Sequence, residues 1–165
     1  MLGNLVEELE SDILPLLNKT TNNKNDHGLF RDCWTLNSAS QSPTYQKMFY
    51  FMGNLLGFSI RSKSALNWHF PPCFWKKIIG EELCEADLEY LDAYTFQMIK
   101  EVRSYGEKLD QAAFDAAVDE KFTTTLTNGN EIELVPSGKE KPVTHENYQE
   151  FCRLVVQARL TEADR

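Results

Sequence analysis

The fold of this 165-residue chain is decided by one segment, Met48-Phe-Tyr-Phe-Met-Gly-Asn-Leu-Leu-Gly-Phe-Ser-Ile-Arg61. It is apolar on nearly every face, and a helix without a polar side must be enclosed by protein or lipid. Only about 13 residues separate Lys47 from Arg61, whereas a membrane span needs roughly 20. We therefore expect a helix buried in a protein core and no membrane insertion. Gly53 and Gly57 share one face, which predicts close approach of another backbone.

The composition is that of a folded protein, with 42% hydrophobic and 25% charged residues. These fractions exclude a disordered or fibrous chain. The net charge of -8 argues against nucleic acid as the main partner, because phosphate binding relies on clustered lysine and arginine. The negative net charge is compatible with a basic protein as partner. No secretory signal is visible, which favours a cytoplasmic location, with the nucleus as an alternative.

Shorter patterns surround the first segment. Apolar residues at helical spacing predict an amphipathic helix over Leu5–Leu17, and the polar run Asn18–Gly28 predicts a mobile loop. Leu29–Leu36 fits a short strand or hairpin. Ser42 and Pro43 are helix-start residues, so they predict the N-terminus of the buried helix.

The second half combines helices with one hairpin. The predicted helices run from Pro72 to Ile79 before Gly80, from Tyr94 to Tyr105 with Gly106 as its end, from Leu109 to Val118, and from an N-cap at Thr144 onward. Asn128-Gly129 predicts a tight turn between strands Phe122–Leu126 and Ile132–Val135. No capping glycine or proline occurs in 161–165, which predicts that the last helix continues beyond Arg165 and that the chain is part of a longer protein. The fold class is therefore α+β, mainly helical.

The cysteines and histidines do not form a recognisable metal pattern. The cysteines are Cys33, Cys73, Cys84 and Cys152, and none is spaced as a Cys-x-x-Cys pair. Reduced, buried thiols are the default interpretation, and no metal or other cofactor is expected. A Cys/His hydrolase that uses Cys73 or Cys84 with His69 or His145 is a minor alternative. His69 lies between Trp68 and Phe70, which favours a structural role.

Several short segments occur in a family-specific order along nearly the whole chain. They are Asp12-Ile-Leu-Pro-Leu-Leu17, Met48 to Arg61, Leu66-Asn-Trp-His-Phe-Pro71, Phe74-Trp-Lys-Lys77, Ala86-Asp-Leu88, Pro142-Val-Thr-His-Glu-Asn147 and Glu150-Phe151. One segment alone is weak, but together they resemble the N-terminal lobe of HECT-type ubiquitin ligases. The segments Asp87-Leu-Glu89 and Arg159 to Arg165 resemble the large HERC-like branch of that family.

This resemblance implies a division of the chain into two parts. Residues 1–80 would belong to the larger helical subdomain, and residues 81–165 would form the subdomain that binds a ubiquitin-conjugating enzyme and contains the hairpin. The C-terminal lobe with the thioester-forming cysteine is absent. The parent would be a ubiquitin-protein transferase acting with ubiquitin and a protein substrate, and this chain alone would be inactive.

The resemblance also implies where the conjugating enzyme would bind. The docking groove would be lined by Thr95, Ile99, Glu120, Phe122, Phe151 and Val155. Thr95 and Glu120 depart from the apolar residues that the family prefers at these positions. For Phe151 and Val155, which lie four apart on one helix face, ordinary core packing is an equal interpretation. If they line a groove, Phe151→Asp should abolish docking but leave the fold intact.

A second interpretation is a non-catalytic helical module that binds ubiquitin or another protein. It would use the same groove or the surface near Trp34 to Asn37. Its mark would be a parent chain without a downstream lobe that carries a reactive cysteine.

Overall fold

The computed structural model of the chain describes residues 2–11 and 13–164, with side chains from residue 5 onward. The α-helices are α1 (Leu2–Leu9), α2 (Thr21–Asn25), α3 (Pro43–Ser62), α4 (Pro72–Ile79), α5 (Ala93–Lys108), α6 (Gln111–Ala117) and α7 (Tyr148–Leu160). The strands are β1 (Leu17–Lys19), β2 (Trp34–Leu36), β3 (Thr123–Thr125) and β4 (Glu131–Glu133). Short 3-10 helices span Glu85–Tyr90, Gly138–Glu140 and Glu162–Asp164.

The strands form two small antiparallel pairs, β1 with β2 and β3 with β4. Leu17 lies opposite Leu36 in the first pair, and Thr123 lies opposite Glu133 in the second. Gly129 at the β3–β4 turn has φ of 88°, a left-handed conformation that glycine adopts without strain. The predicted hairpin and the mainly helical α+β class are both confirmed.

Two hydrophobic clusters lie on either side of residue 80. The first contains the buried side chains Leu9, Leu16, Leu17, Trp34, Met52, Leu55 and Phe70. The second contains Leu88, Ile99, Val102, Phe114, Val118, Phe122, Val143, Tyr148, Phe151, Cys152, Val155 and Leu160. The division of the chain into domains at residues 80 and 81 stays a prediction.

The first predicted helix is wrong beyond its second turn. α1 ends at Leu9, and Leu17 lies in β1 rather than in a helix. Pro15 prevents a helix from running on to Leu17, because proline inside a helix removes a backbone donor and clashes with the preceding turn. Leu16 and Leu17 are still buried, but they reach the core from a turn and from β1 respectively. Asp12 of the predicted helix lies outside the described residues.

The predicted loop Asn18–Gly28 is also wrong, because it contains β1 and α2. Thr20 caps α2, where its hydroxyl oxygen accepts a hydrogen bond from the Asn23 amide at 3.2 Å. The buried Asn22 side chain donates to the carbonyls of Leu29 and Glu89, and it accepts from the Ala93 amide at 2.8 Å. Composition suggested mobility, but these polar side chains satisfy backbone groups and join the two halves of the chain.

α3 begins as predicted, with Ser42 as its N-cap and Pro43 in the first turn. Its predicted enclosure is wrong. Met52, Leu55 and Leu56 are buried on one face, whereas Tyr50 and Ile60 are 75% and 71% exposed on the opposite side. The packed elements of the described chain cover only half of this helix. A Cβ at Gly53 or Gly57 would meet nothing within 4 Å, so no backbone among residues 2–11 and 13–164 makes the predicted close approach.

The helices of the second half differ from their predicted ends in three places. Gly106 lies inside α5 rather than at its end, which is Lys108. α7 starts after Asn147, whose Oδ1 accepts from the Thr144 amide at 2.8 Å, so Thr144 opens a preceding turn. α7 then ends at Leu160, and a 3-10 turn with buried Glu162 follows it. The predicted continuation of this helix through 161–165 is therefore wrong as far as Asp164, and Arg165 itself lies outside the described residues.

Gly106 should not tolerate alanine. A Cβ there would lie 2.3 Å from Cζ of the buried Tyr148 ring, so the ring or the helix must shift. Overpacking of this kind costs about 1–3 kcal/mol, more than the ~1 kcal/mol gained when alanine replaces glycine in a helix. We expect Gly106→Ala to lower the free energy of unfolding, measured by urea denaturation. Gly57→Ala, at an open helical position, should instead raise it, and equal effects of the two changes would contradict this account.

Candidate functional site

Four of the six predicted docking residues meet inside the second hydrophobic cluster. Ile99 of α5, Phe122 before β3, and Phe151 and Val155 of α7 are each at most 1% exposed. Sequence positions far apart are thus brought together, as the resemblance implied. They are brought together as core, however, and none presents a surface that a partner protein could contact in this conformation.

Phe122 and Phe151 form an aromatic pair, and the charged side chain of Lys141 lies over the Phe122 ring. Their ring centroids lie 5.6 Å apart at 70°, the edge-to-face geometry that aromatic rings prefer. The Lys141 ammonium lies 4.0 Å from the Phe122 ring centroid, and it also reaches Glu150 Oε2 at 3.5 Å. A cation–π contact and a solvent-exposed ion pair therefore hold Lys141 over the ring.

Thr95 and Glu120 are not buried in the second hydrophobic cluster with the other four. Thr95 is half-buried, and its hydroxyl donates to Asp92 Oδ2 at 2.7 Å while its amide donates to Oδ1 at 3.0 Å. Its side chain thus belongs to the N-terminal cap of α5. Glu120 is exposed, and partial burial of its carboxyl, together with Asp119, raises its pKa above the usual range.

The cavities described for this chain lie elsewhere. None of the five cavities characterised on the described residues is lined by any of the six. For Phe151 and Val155, ordinary core packing therefore describes the observed placement. Their role in docking stays a prediction.

Sequence reasoning missed a buried ion cluster between the two halves. Arg159 of α7 donates to Asp92 Oδ2 and to Glu162 Oε2, each at 3.0 Å, and all three side chains are buried. Arg159 also donates to Thr21 Oγ1 at 3.0 Å, and the Thr127 amide donates to Glu162 at 2.9 Å. The signal available in the sequence was Arg159 within the apolar stripe of α7, a position where a buried charge needs partners.

The cluster joins four segments without an evident substrate site. Arg159 is neutralised by two carboxylates, and these are supplied by the start of α5 and the turn after α7. An adjacent cavity of about 210 Å³ is mainly apolar and has Arg159 and Glu162 in its wall. This arrangement fixes the relative position of the elements around it, and we assign it a structural role.

The cysteines and histidines do not form a nucleophile–base pair. Burial raises the pKa of the Cys33 thiol to about 12 and that of the Cys73 thiol to about 11. His69 Nδ1 lies 2.6 Å from Glu10 Oε2, and His145 Nε2 lies 3.1 Å from the Gly106 carbonyl. Within residues 2–11 and 13–164, no hydrogen bond joins a cysteine to a histidine, and no group of three or more metal-ligating side chains occurs. The hydrolase alternative therefore finds no support in the described part of the chain.

Thiol labelling should separate one cysteine from the others. Cys84 is exposed, whereas Cys33, Cys73 and Cys152 are buried and have raised pKa values, caused chiefly by loss of solvent. Iodoacetamide at about pH 8 should modify Cys84 in the folded protein, because its side chain is exposed to the reagent. The other three should react only after urea unfolding. Mass spectrometry of the digested protein measures each site, and fast labelling of folded Cys73 would contradict the assignment.

Comparison with known proteins finds a family model and several relatives that match most of the chain. The model of the HECT domain, described as a ubiquitin transferase, matches residues 14–164. The chain is 33% identical over 163 residues to E3 ubiquitin-protein ligase HERC2 of Mus musculus and 32% identical to HERC2 of Homo sapiens, with 99% of the chain covered in each case. It is 28% identical over 134 residues to the probable E3 ubiquitin-protein ligase HECTD4 of Homo sapiens. The chain spans 3% of the length of each of these relatives. No helix in the described residues is both long and apolar enough to span a membrane.

Proposed function

This chain belongs to the HECT-domain (ubiquitin-transferase) family, and from that membership we propose that it docks a ubiquitin-charged conjugating enzyme within a longer ligase. Ubiquitin would pass from the thioester of the conjugating enzyme to a cysteine of the parent outside this chain, and then to a substrate lysine. Such covalent catalysis divides one difficult transfer into two steps. The chain would contribute proximity by holding the donor thioester near the acceptor.

The thiols of this chain support that division of roles. A thioester-forming cysteine must be accessible and must ionise readily. Three of the four cysteines are buried with raised pKa values, and none has an activating histidine among the described residues. We therefore propose that the chain alone is inactive as a transferase. Free thiols also suit a reducing compartment, so we propose the cytoplasm, with the nucleus as an alternative.

Docking at the predicted residues requires the Lys141 side chain, which lies over the Phe122 ring, to move. The Lys141 side chain is 40% exposed, and its ion pair with Glu150 is exposed as well. An exposed ion pair contributes about 0–1 kcal/mol and an exposed cation–π contact about 0.5–1 kcal/mol. Displacing the Lys141 side chain therefore costs little free energy, and it would expose the face of the Phe122 ring. An apolar loop residue of the conjugating enzyme could then pack against that ring.

The test is a titration of the isotope-labelled 165-residue chain with a panel of ubiquitin-conjugating enzymes. At least one enzyme should shift the amide resonances of Phe122, Lys141 and Phe151. Lys141→Ala should strengthen binding about threefold to tenfold, because the conjugating enzyme would no longer have to displace the lysine side chain. Lys139→Ala is the matched control, since Lys139 is an exposed lysine of the same segment whose partner is Glu131. If no enzyme shifts these resonances in either variant, the docking proposal fails.

The rival function is a non-catalytic module that binds ubiquitin or another protein. The exposed apolar half of α3 favours it, because such a surface on a folded protein often marks an interaction site. The parent gene distinguishes the two functions. A downstream lobe with a reactive cysteine supports the ligase role, and its absence supports the module.

A further inference from the structure

A cavity of about 210 Å³ lies where the two halves of the chain meet. The first half supplies Leu36 of β2 and both Cys73 and Phe74 of α4 to its wall, and the second half supplies Leu91 and Leu160. Leu36 and Phe74 pack against the first hydrophobic cluster, whereas Leu160 belongs to the second. The space is therefore enclosed by side chains from both cores, and we call it the junction cavity.

The four charged residues in the wall of the junction cavity are already paired. Lys77 Nζ lies 2.8 Å from Asp164 Oδ1, and Arg159 Nη1 lies 3.0 Å from Glu162 Oε2. Arg159 Nε has no hydrogen-bond partner among the described residues, but the atom is inaccessible, so it cannot anchor a ligand in the cavity. A charged ligand would have to break one of these pairs or remain unpaired in an apolar space, which is costly. The wall therefore favours a neutral ligand.

The junction cavity has a buried end and an end that reaches solvent. Cys73 and Leu160 are buried at 6% and 8% exposure, whereas Ile78 and the side chain of Asp164 are 56% and 57% exposed. The ion pair of Asp164 with Lys77 lies at the solvent end, and exposed ion pairs contribute little to stability. A small molecule can therefore enter beside Ile78 without unfolding either core.

The volume of the junction cavity fits one small ring. An engineered apolar cavity of about 150 Å³ in another protein stays dry and binds benzene. The junction cavity is somewhat larger, so it has room for a ring with a short substituent. Water gains less there, because a buried water needs roughly two to four polar partners, and the charged groups of this wall are bonded to one another.

We propose that the junction cavity binds a small neutral molecule built on one apolar ring, of the size of an alkylbenzene. The ring would pack between Leu36 and Phe74 of the first half and Leu91 and Leu160 of the second. Removal of its apolar surface from water would supply the affinity. Because both halves contribute to the wall, the bound ring would stabilise their junction. This inference does not depend on the docking of a conjugating enzyme.

The rest of a longer ligase is the other candidate occupant, since the chain spans 3% of the length of its HERC2 relatives. A protein segment would bring backbone donors and acceptors with it, and these need partners when they are buried. The paired charges of the wall offer none, whereas a free alkylbenzene carries no such groups. These observations favour the small molecule.

The test measures the binding of ethylbenzene to the whole 165-residue chain. Ethylbenzene should raise the urea midpoint of unfolding as its concentration increases, because a ligand that binds only the folded state stabilises it. It should also shift the methyl resonances of Leu36 and Leu160 in NMR spectra. Phenylacetate and benzylammonium, which have a similar size but carry a charge, should produce neither effect at the same concentration.

Variants of the chain locate the bound ring. Ala163→Leu places a larger side chain in the half-buried wall and should weaken ethylbenzene binding about tenfold. Ala112→Leu, on the exposed face of α6, is the matched control and should bind as the unchanged protein does. Leu83→Ala enlarges the cavity from a half-buried wall position, so it should improve the binding of naphthalene relative to ethylbenzene. This second variant tests the location even if Ala163→Leu fails to fold.

Four results would overturn the proposal. They are the absence of any effect of ethylbenzene on the midpoint or the methyl resonances, equal effects of the charged probes, unchanged binding in folded Ala163→Leu, and an unchanged preference in Leu83→Ala. The same titration of the complete HECT domain encoded by the parent gene tests the other occupant. If ethylbenzene binds the 165-residue chain but not the complete domain, the rest of the ligase fills the cavity, and its assignment to a free ligand is wrong.

Discussion

Phe151→Asp should unfold the second hydrophobic cluster rather than remove a docking contact. Phe151 is 1% exposed and packs edge-to-face against Phe122. Losing a buried phenylalanine ring costs about 3–5 kcal/mol, and an unpaired carboxylate in the same place adds several more. A typical domain is stable by only about 5–15 kcal/mol. If Phe151 lined a surface groove, as the resemblance implies, the Phe151→Asp protein would stay folded. The buried position of Phe151 leads to the opposite expectation.

Urea denaturation followed by circular dichroism, with proton NMR for tertiary packing, measures this effect. The control is Gln149→Asp, which adds the same charge to an exposed position of α7. Because acidic residues are favourable in the first turn of a helix, the control should keep its stability within about 1 kcal/mol. A folded Phe151→Asp protein with native chemical shifts would show that the residue tolerates exposure, and it would restore the groove interpretation.

The second large effect is expected for Arg159→Met. Arg159 contacts Asp92 and Glu162 at 3.0 Å, and the three side chains are buried. Methionine preserves much of the volume but leaves two buried carboxylates without their cation. Removing one partner of a buried ion pair typically costs about 3–5 kcal/mol. We therefore expect a large fall in the free energy of unfolding.

Arg153→Met is the matched control, because Arg153 is an exposed arginine on the same helix. Its effect should be within about 0.5 kcal/mol, as for most surface substitutions. Arg159→Lys should fall between the two, since lysine keeps the charge but cannot reproduce the forked contacts of a guanidinium. If Arg159→Met is as stable as Arg153→Met, the cluster does not hold the elements together.

The sequence predicted the elements whose signals are local. Ser42 and Pro43 start α3, Gly80 ends α4, and Asn128-Gly129 forms the hairpin turn, because each of these roles depends on the residue's own backbone or side chain. Gly106 was misread for the opposite reason. Its absent side chain makes room for Tyr148, which is far away in sequence, and no local pattern contains that contact.

The candidate site was predicted less well than the fold. An apolar stripe such as Phe151 and Val155 has the same spacing whether it lines a groove or fills a core. Only coordinates distinguish the two, and here both residues are buried. The ion cluster escaped prediction because its carboxylates, Asp92 and Glu162, look like ordinary surface charges in the sequence, and their meeting with Arg159 depends on how α5 and α7 pack.

Asn22 sets a practical limit on dissecting this protein. Its side chain, on α2, hydrogen-bonds to Leu29, Glu89 and Ala93. A fragment that ends at Gly80 would therefore leave the Asn22 side chain without Glu89 and Ala93, two of its three partners. Each buried polar group left unsatisfied costs about 1–3 kcal/mol. Residues 81–165 expressed by themselves would in turn lack the Asn22 contacts to Glu89 and Ala93, so such a fragment should carry Thr20 to Asn25 along with it, even though these residues precede it by a long stretch of chain.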